Sequence, residues 1–200
     1  MSSYQLPVSG WTVVVREPTG AEDLLLQEAG ELNTSLAFQL FDRMVAVSGD
    51  ETCKWTGLSI TDVEAILLLL RRETLGDVIR AETECTVPGC KARVDVSFRI
   101  TEYLASQNPR TPRSVREAEE ADQTYRLAEA NVRFRLPNGE DLLVIDGEGL
   151  SRRSLMKRCV KDQDIPNRLS QRIERIMEAM APRLSRCVER RNLSVPEKAR

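Results

Sequence analysis

The sequence contains no histidine. The chain therefore lacks the most common general base and the most common metal ligand in proteins. It also lacks a GxSxG motif, a Walker phosphate-binding loop and any cysteine–histidine pair. Its acidic residues form no paired-carboxylate motif, because Glu82 and Glu84 share one strand face, which is typical of a solvated edge. These absences argue against an enzyme.

Aromatic residues are scarce, at 4% of the chain. Proteins that bind single-stranded nucleic acid usually stack the bases on aromatic rings, and this chain has few rings for that purpose. The C-terminal part is basic, but its arginines are dispersed around amphipathic helices. Nucleic acid is therefore disfavoured as a partner.

Long apolar runs are also missing. The longest, residues 65–70, is far too short to span a bilayer. The N-terminus has no basic region followed by an apolar core, so no signal peptide is predicted. We therefore expect a soluble protein that is made in a reducing cytoplasm and has no membrane partner.

Charge is distributed unevenly along the chain, although the net charge is only −2. Residues 1–50 carry two Lys or Arg and seven Asp or Glu, a net charge of −5. Residues 151–200 carry fourteen Lys or Arg and six Asp or Glu, a net charge of +8. Such a pattern is typical of ordinary solvated faces. It also fits a charged partner surface or contact between copies of the chain.

The chain is organised around residues 61–100. Thr61 or Asp62 is predicted to cap a helix, because a short side-chain oxygen can accept a free backbone N–H. Apolar residues follow at the spacing of one helix face: Val63, Ile66, Leu67 and Leu70. Two further leucines widen this apolar arc, which predicts a helix buried on several sides with Leu67 in the core. Gly76 is predicted to end the helix.

A β-hairpin is predicted directly after this helix, with Cys85 and Cys90 at the two ends of its turn. Pro88 and Gly89 lie between them and have turn chemistry. Apolar residues then alternate with polar ones: Val94, Val96, Phe98 and Ile100 against Arg93, Asp95, Ser97 and Arg99. The alternation predicts one solvated and one buried face. We expect the central helix to pack on the buried face.

Cys85 and Cys90 are the cysteine pair whose spacing suggests a site. A structural zinc ion needs four ligands, and this loop offers two. Three interpretations stay open: free or structural thiols, a disulfide, and part of a zinc site. A disulfide is expected if the protein ends up in an extracellular virion, and thiols are expected in the cytoplasm. The predicted cofactor is therefore none, with zinc as the weaker alternative.

The rest of the pattern completes a predicted α+β fold. Before the central helix, a strand is predicted over residues 11–16, followed by two helices over residues 21–29 and 31–47. A second small hairpin is predicted from strands at residues 125–136 and 142–145, around the turn signal Pro137-Asn138-Gly139. The remaining helices are predicted over residues 101–106, 150–160, 167–180 and 182–191. We divide the chain into an N-terminal lobe (residues 1–106), a linker (residues 107–122) and a basic C-terminal lobe (residues 123–200).

One helix in the C-terminal lobe is a candidate for partner binding. The segment around this helix is strongly basic. The apolar residues of the helix form one stripe: Leu169, Ile173, Ile176 and Met180. Such a helix can bury its stripe against a neighbouring subunit while arginines contact acidic groups at the rim. The alternative is that the stripe packs on the chain's own second hairpin.

Three segments stand out in order along the chain: REPTGAEDLLL (residues 16–26), LSITDVEAILLLLRRETLGDVIRAETECTVPGCKARVDVSF (residues 58–98), and VRFRLPNGEDL (residues 132–142) followed by LMKRCV (residues 155–160). Together they resemble one family, the baseplate hub assembly proteins of T-even-type contractile-tailed phages, often described as assembly chaperones. The resemblance covers most of residues 10–160.

The resemblance implies a role in phage morphogenesis without catalysis. Such a protein binds baseplate or hub subunits in the host cytoplasm, and it either leaves or stays in the virion tail baseplate. Family members often carry a tight Cys-x-x-Cys in the hairpin, whereas here four residues separate Cys85 from Cys90. This departure weakens the case for zinc. The alternative function is a small zinc-ribbon-like nucleic-acid-binding module.

Overall fold

The fold comes from a computed structural model, which describes residues 2–48, 53–85, 90, 92–107, 109–117, 124–149, 151–162 and 165–181. Within these residues there are seven α-helices and three small antiparallel sheets. The predicted α+β class is therefore confirmed. None of the described helices combines the length and the apolar composition needed to cross a bilayer.

The first sheet has three short antiparallel strands in the order β1 (Ser2–Gln5), β2 (Thr12–Val15) and β3 (Val45–Val47). Val13 and Val15 of the central strand are buried. The sequence predicted the central strand but not its two neighbours. Strands of three or four residues are too short to show a reliable alternation.

Two helices connect β2 to β3. They are α1 (Gly20–Glu28) and α2 (Thr34–Met44). Asn33 caps α2 by accepting a hydrogen bond from the backbone N–H of Leu36 at 2.9 Å. Phe41 is fully buried, and its ring lies edge-on to Trp55 at 5.7 Å. The second helix is shorter than predicted, because its last three predicted residues form β3.

The central helix α3 (Ile60–Leu75) is buried, as predicted, but two details differ. Ser59 caps it by accepting a hydrogen bond from Asp62 N at 3.1 Å, so neither predicted capping residue takes this role. Leu67 is 39% exposed and lies outside the core, whereas Leu69 is 1% exposed. Four consecutive leucines span about 300° of a helix, so a partly covered helix leaves one of them at the surface.

The predicted hairpin follows as β4 (Val78–Glu84) and β5 (Arg93–Arg99), and the short helix α4 (Ile100–Ala105) comes next. The prediction that its apolar face is buried is wrong for the outer part of the hairpin. Val94 is 44% exposed and Val96 is 37% exposed, so α3 leaves them uncovered, whereas Ile79 at the base packs against the core and Ile100 is fully buried in α4. Alternation identifies an apolar face, but it does not determine whether the same chain covers that face.

The last sheet joins β6 (Val115–Glu117), β7 (Thr124–Leu127) and β8 (Val132–Arg135) in antiparallel order. The second hairpin is thus β7–β8, and β6 lies within the predicted linker. Residues 142–145 were predicted as a strand but lie in the helix α5 (Gly139–Glu148).

The misassignment of residues 142–145 has a clear local cause. Asn138 does not form a hairpin turn. It caps α5, accepting a hydrogen bond from Asp141 N at 3.3 Å. The short apolar run that follows fits a strand and a helix equally well, so the capping chemistry decides the structure.

Two further helices, α6 (Arg152–Cys159) and α7 (Asn167–Met180), complete the C-terminal core. The bounds predicted for α7 are confirmed. The largest side chains of this core that are almost fully buried come from the sheet and both helices: Leu127, Phe134, Leu155, Ile173 and Met177. The helix predicted over residues 182–191 lies outside the described residues.

The two cores meet where α3 and α5 begin. Ile60 N donates to Pro137 O, and Gly139 N donates to Leu58 O, both at 3.0 Å. A Cβ atom on Gly139 would lie 2.6 Å from Cζ of Phe38, so only glycine fits at this junction. These contacts join the two cores directly. The division of the chain into two lobes and a linker stays a prediction.

Leu69→Asp tests the orientation of α3. The substitution places an unpaired charge in the core, so we expect it to lower the free energy of unfolding by about 3–5 kcal/mol or to prevent folding. Leu67→Asp is the matched control on the exposed side, and it should remain soluble with a nearly unchanged urea midpoint. Equal effects of the two variants would contradict this orientation.

Gly139→Ala tests the junction between the cores. The added methyl group must displace the ring of Phe38, so we expect the free energy of unfolding to fall by about 1–3 kcal/mol. Gly147→Ala is the control in the same helix, where the added methyl group would meet no neighbouring atom within 4 Å. It should instead raise stability by about 0.5–1 kcal/mol, because alanine favours helix. Thermal unfolding of both variants measures the difference, and a stabilising Gly139→Ala would refute the close approach.

Candidate functional site

The candidate cysteines lie at the far end of the β4–β5 hairpin. Cys85 is half-buried and Cys90 is exposed. Cys85 N donates to Ala92 O at 2.9 Å, which continues the strand pairing up to the first cysteine. The turn residues 86–89 and residue 91 lie outside the described residues. The redox state of the pair stays a prediction.

The described part of the chain contains no group of three or more Cys, Asp or Glu side chains that could hold a metal ion. Cys159 is buried in the C-terminal core. Burial and the nearby Asp141 carboxylate raise the pKa of its thiol to about 12, so it stays protonated at neutral pH. A protonated, buried thiol is a small apolar core group rather than a nucleophile. Cys187 lies outside the described residues.

The structure places the predicted partner-binding stripe of α7 in the chain's own core. Ile173, Ile176 and Met180 are each at most 7% exposed, and Leu169 packs at the edge of the same cluster. This arrangement matches the alternative that the sequence left open. The exposed face of α7 carries arginines instead, and Arg172 forms an ion pair with Glu129 at 2.6 Å.

The β4–β5 hairpin exposes two chemically different faces. Its register brings Ala81 opposite Val96 and Thr83 opposite Val94, which together form an apolar face. The opposite face is charged, with an ion pair between Arg93 and Glu82 at 3.1 Å whose two side chains are both well exposed. We call the first of these surfaces the hairpin apolar face. Sequence alternation revealed it, but predicted it to be buried.

The base of the hairpin is fixed to the body of the protein. Asp77 accepts hydrogen bonds from the backbone N–H and the hydroxyl of Thr101. The Thr101 hydroxyl is the main reason that the pKa of Asp77 lies below its usual value. Phe98 packs against Tyr103 at a ring distance of 5.2 Å. The hairpin therefore extends from a fixed base rather than from a loose loop.

Helix α1 is held by a charged clamp at its first turn. Arg16 donates to Glu22 at 2.8 Å, and the backbone N–H and hydroxyl of Thr19 donate to the same carboxylate at 2.8 and 2.7 Å. These hydrogen bonds, with Arg16 the largest contributor, lower the pKa of Glu22 to about 2. The clamp corresponds to the REPTGAE part of the first family segment.

Beyond the clamp, two of the three leucines of α1 are exposed. Leu24 is 54% exposed, Leu26 is 41% exposed, and Leu32 in the following connection is 85% exposed. A groove of about 280 Å³ runs between α1 and α2, with Leu25 and Leu36 among its lining residues. We call this surface the α1–α2 groove. Sequence analysis missed it, although the three adjacent leucines beside a charged cap were the available signal.

Two further carboxylates are fully buried, each in the first turn of a junction helix. Asp62 in α3 accepts hydrogen bonds from the backbone N–H groups of Val8 and Ser9, both at 2.9 Å. Burial raises its pKa, and these hydrogen bonds partly oppose that effect. Asp62 therefore ties the loop between β1 and β2 to the central helix.

Asp141 in α5 accepts hydrogen bonds from Arg135 at 2.6 and 2.9 Å and from Arg158 at 3.0 Å. Burial alone would raise its pKa, but the two guanidinium groups hold the pKa below its ordinary value. This network connects β8, α5 and α6, and its three side chains all lie within the third family segment. The Cys159 thiol also donates to Asp141 at 3.9 Å, and its raised pKa keeps it protonated. Both aspartates hold neighbouring elements together, and the exposed surfaces are the candidate functional sites.

Glu22→Gln tests the α1 clamp through pH. Glutamine keeps the shape but loses the charge, so the variant should unfold at lower urea than the wild type at pH 7. Because folding lowers the pKa of Glu22, its stabilising effect is present above about pH 4.5 and is lost as pH falls towards 2. Urea midpoints should therefore converge in acid. Glu28→Gln, an exposed change on the same helix, should match the wild type at pH 7, and a constant gap for Glu22→Gln would contradict the clamp.

Comparisons with known proteins agree with the sequence motifs. A family model described as T4 bacteriophage base plate protein matches residues 1–182. No curated protein and no solved structure matches the chain. The match confirms the resemblance to T4-type baseplate proteins, whereas the hub assembly role stays a prediction. The chain belongs to the T4 bacteriophage base plate protein family.

Proposed function

We propose that the chain is a non-catalytic tail protein that binds other baseplate or hub subunits, and that the hairpin apolar face is its main contact surface. The observation that carries this proposal is the exposure of Val94 and Val96 on a seven-residue strand. The family match supports the baseplate setting. The absence of histidine supports a role without catalysis.

The hairpin apolar face has the energetics of an interface. An isolated two-stranded hairpin is marginally stable in water, because it covers neither of its faces. Fully burying a valine side chain contributes about 1.5–3 kcal/mol. Covering this face with a partner would therefore stabilise both the hairpin and the complex.

The edges and the opposite face of the hairpin add specificity. Among the described strands, β4 and β5 pair only with each other, so each has one edge whose backbone groups can pair with a strand of another chain. The exposed charges of Arg93 and Glu82 on the opposite face fit the rim of a contact, where they influence on-rate and register.

The proposal replaces the contact surface that the sequence predicted on α7, because the chain's own core occupies that stripe. The proposal covers two roles, which differ in whether the protein remains in the finished particle. As an assembly chaperone it acts in the host cytoplasm and leaves, and as a structural component it stays in the virion tail baseplate. Mass spectrometry of purified particles separates the two, because only a retained protein is found there. A second copy of the chain is a further candidate partner.

The double substitution Val94→Lys and Val96→Lys tests the proposal. Both side chains are exposed, so the protein should fold with an unchanged melting temperature. Two charges on the contact surface should weaken subunit binding by about 2 kcal/mol or more, roughly thirtyfold. In a phage that encodes this variant, electron microscopy of lysates should show fewer complete baseplates.

The matched control is Val78→Lys, which lies at the base of the hairpin on its charged face and is 38% exposed. It should support assembly like the wild type. Normal baseplate numbers with the double variant would refute the hairpin apolar face as the contact surface.

A further inference from the structure

We propose that the edge of β4 that points away from β5 binds a second copy of this chain. The two β4 strands pair antiparallel about a two-fold axis at Ala81, and the two hairpins form one four-stranded sheet. We call this surface the β4 edge. The inference concerns an edge of the hairpin, so it does not rest on the proposed use of the hairpin apolar face. The backbone, the charges and the length of β4 each favour this partner.

The backbone groups that point away from β5 belong to every second residue of β4. Cys85 N donates to Ala92 O at 2.9 Å, which makes Cys85 a hydrogen-bonded position of the β4–β5 ladder. Because such positions alternate along an antiparallel pair, the odd-numbered residues of β4 bond to β5. The N–H and C=O groups of Arg80 and Glu82 therefore point to the other side, where none of the described strands pairs with them.

A two-fold axis at Ala81 matches these backbone groups to one another. It brings Arg80 of each copy opposite Glu82 of the other. Both residues have their N–H and C=O groups on this side, so each of the two pairs closes two backbone hydrogen bonds. Farther out, Arg71 already donates to Val78 O at 3.4 Å, so the ladder between the copies ends there.

The same pairing corrects an imbalance of charge within the hairpin. Glu82 lies directly opposite Asp95, and like charges at such positions destabilise a strand pair. Arg93 offsets this repulsion from a diagonal position, at 3.1 Å from Glu82. Arg80 lies opposite the uncharged Ser97, and it forms no ion pair within the described part of the chain. A second copy places its Arg80 beside the two carboxylates, so opposite charges become neighbours across the new strand pair.

The edge of β5 is a poorer match for a second copy. The two-fold register that places Asp95 opposite Arg99 overlaps only over residues 95–99, because α4 begins at Ile100. The β4 register overlaps over the whole seven-residue strand. Arg99 also has carboxylates nearby, with Asp77 at 3.7 Å and Glu102 at 3.8 Å. The β4 edge therefore has both the longer overlap and the unpaired charge.

The charges of β4 differ from the usual protection of an edge strand. Native proteins often place charged side chains on an edge to prevent pairing with another chain. In β4 the charges have opposite signs on the two sides of Ala81, so they attract a second copy. The resulting sheet leaves the hairpin apolar face open and continues it from one chain to the other. Four strands also overcome the marginal stability of an isolated two-stranded hairpin.

The molecular mass of the full chain in solution is the first test. Sedimentation equilibrium over a range of concentrations should show the mass rising from 22.6 kDa to twice that value. The association should stop at two chains, because a two-fold interface is closed. A chain that is still monomeric at about 0.1 mM would overturn the inference, since such an affinity is too weak to matter for assembly.

Charge-swap variants test the register. Arg80→Glu alone and Glu82→Arg alone each place like charges in both cross-strand pairs, so each should raise the dimer dissociation constant at least about tenfold. An equal mixture of the two variants has opposite charges in both pairs and should associate like the wild type. Both side chains are exposed, so the dilute variants should melt at the wild-type temperature. A mixture that associates no better than its components would overturn the register at Ala81.

Proline variants separate the two edges of the hairpin. Glu82→Pro removes an N–H that points away from β5, so it blocks the β4 edge and leaves the hydrogen bonds within the hairpin intact. Ser97→Pro is the matched control, because it blocks the β5 edge in the same way. We expect Glu82→Pro to be monomeric and Ser97→Pro to dimerise like the wild type. Association that survives Glu82→Pro would overturn the inference.

Two further measurements separate the edge from the hairpin apolar face. The double variant Val94→Lys and Val96→Lys changes the face and not the edge, so it should dimerise like the wild type. Loss of its dimer would assign association to the face and overturn the inference. Amides of Arg80 and Glu82 should exchange quickly in the dilute monomer and slowly in the dimer. Failure of the β4 edge and failure of the proposed contact through the face are therefore distinguishable.

Discussion

The structure depends on the junction at which α3 and α5 begin side by side. Two backbone hydrogen bonds link Leu58 and Ile60 to the chain at Pro137 and Gly139, and glycine allows the two cores to approach. Each helix places a buried aspartate in its first turn. One holds the loop after β1, and the other holds two arginines from β8 and α6. These bonds satisfy polar groups that would be costly to bury unpaired, so the junction fixes both cores at once.

A body fixed in this way leaves two apolar surfaces outside the cores. Hairpin β4–β5 is attached at its base by Asp77 and Phe98, and α1 is attached at its first turn by Arg16 and Glu22. In both cases polar bonds or ring contacts at one end position an element that carries exposed apolar side chains. This combination is what the proposed contact with other baseplate subunits requires. Both surfaces carry few internal contacts, so substitutions there separate binding from folding.

The sequence was informative where long periodic patterns occur. The bounds of α7 and the burial of α3 followed from helical spacing, and the Cys-bearing hairpin followed from alternation. The sequence was uninformative where one apolar pattern fits two environments, the chain's own core and an exposed surface. An apolar face on β5 or an apolar stripe on α7 gives the same sequence pattern whether the chain or a partner covers it. The outer part of the β5 face was expected to be buried and is exposed, and the α7 stripe follows the alternative that the sequence left open, packing in the chain's own core. The run at residues 142–145 was too short to distinguish strand from helix, and the cap at Asn138 decided it.

The most direct test of the account is amide hydrogen exchange on the free chain and on the chain assembled with other baseplate subunits. We expect the amides of Ile60 and Gly139 at the junction to exchange slowly in both states. Amides of β4 and β5 should exchange quickly in the free chain and become protected on assembly, because the hairpin apolar face is then covered. Unchanged exchange in β4 and β5, or fast exchange at the junction in the free chain, would contradict the view of a rigid body that contacts its partners through the hairpin.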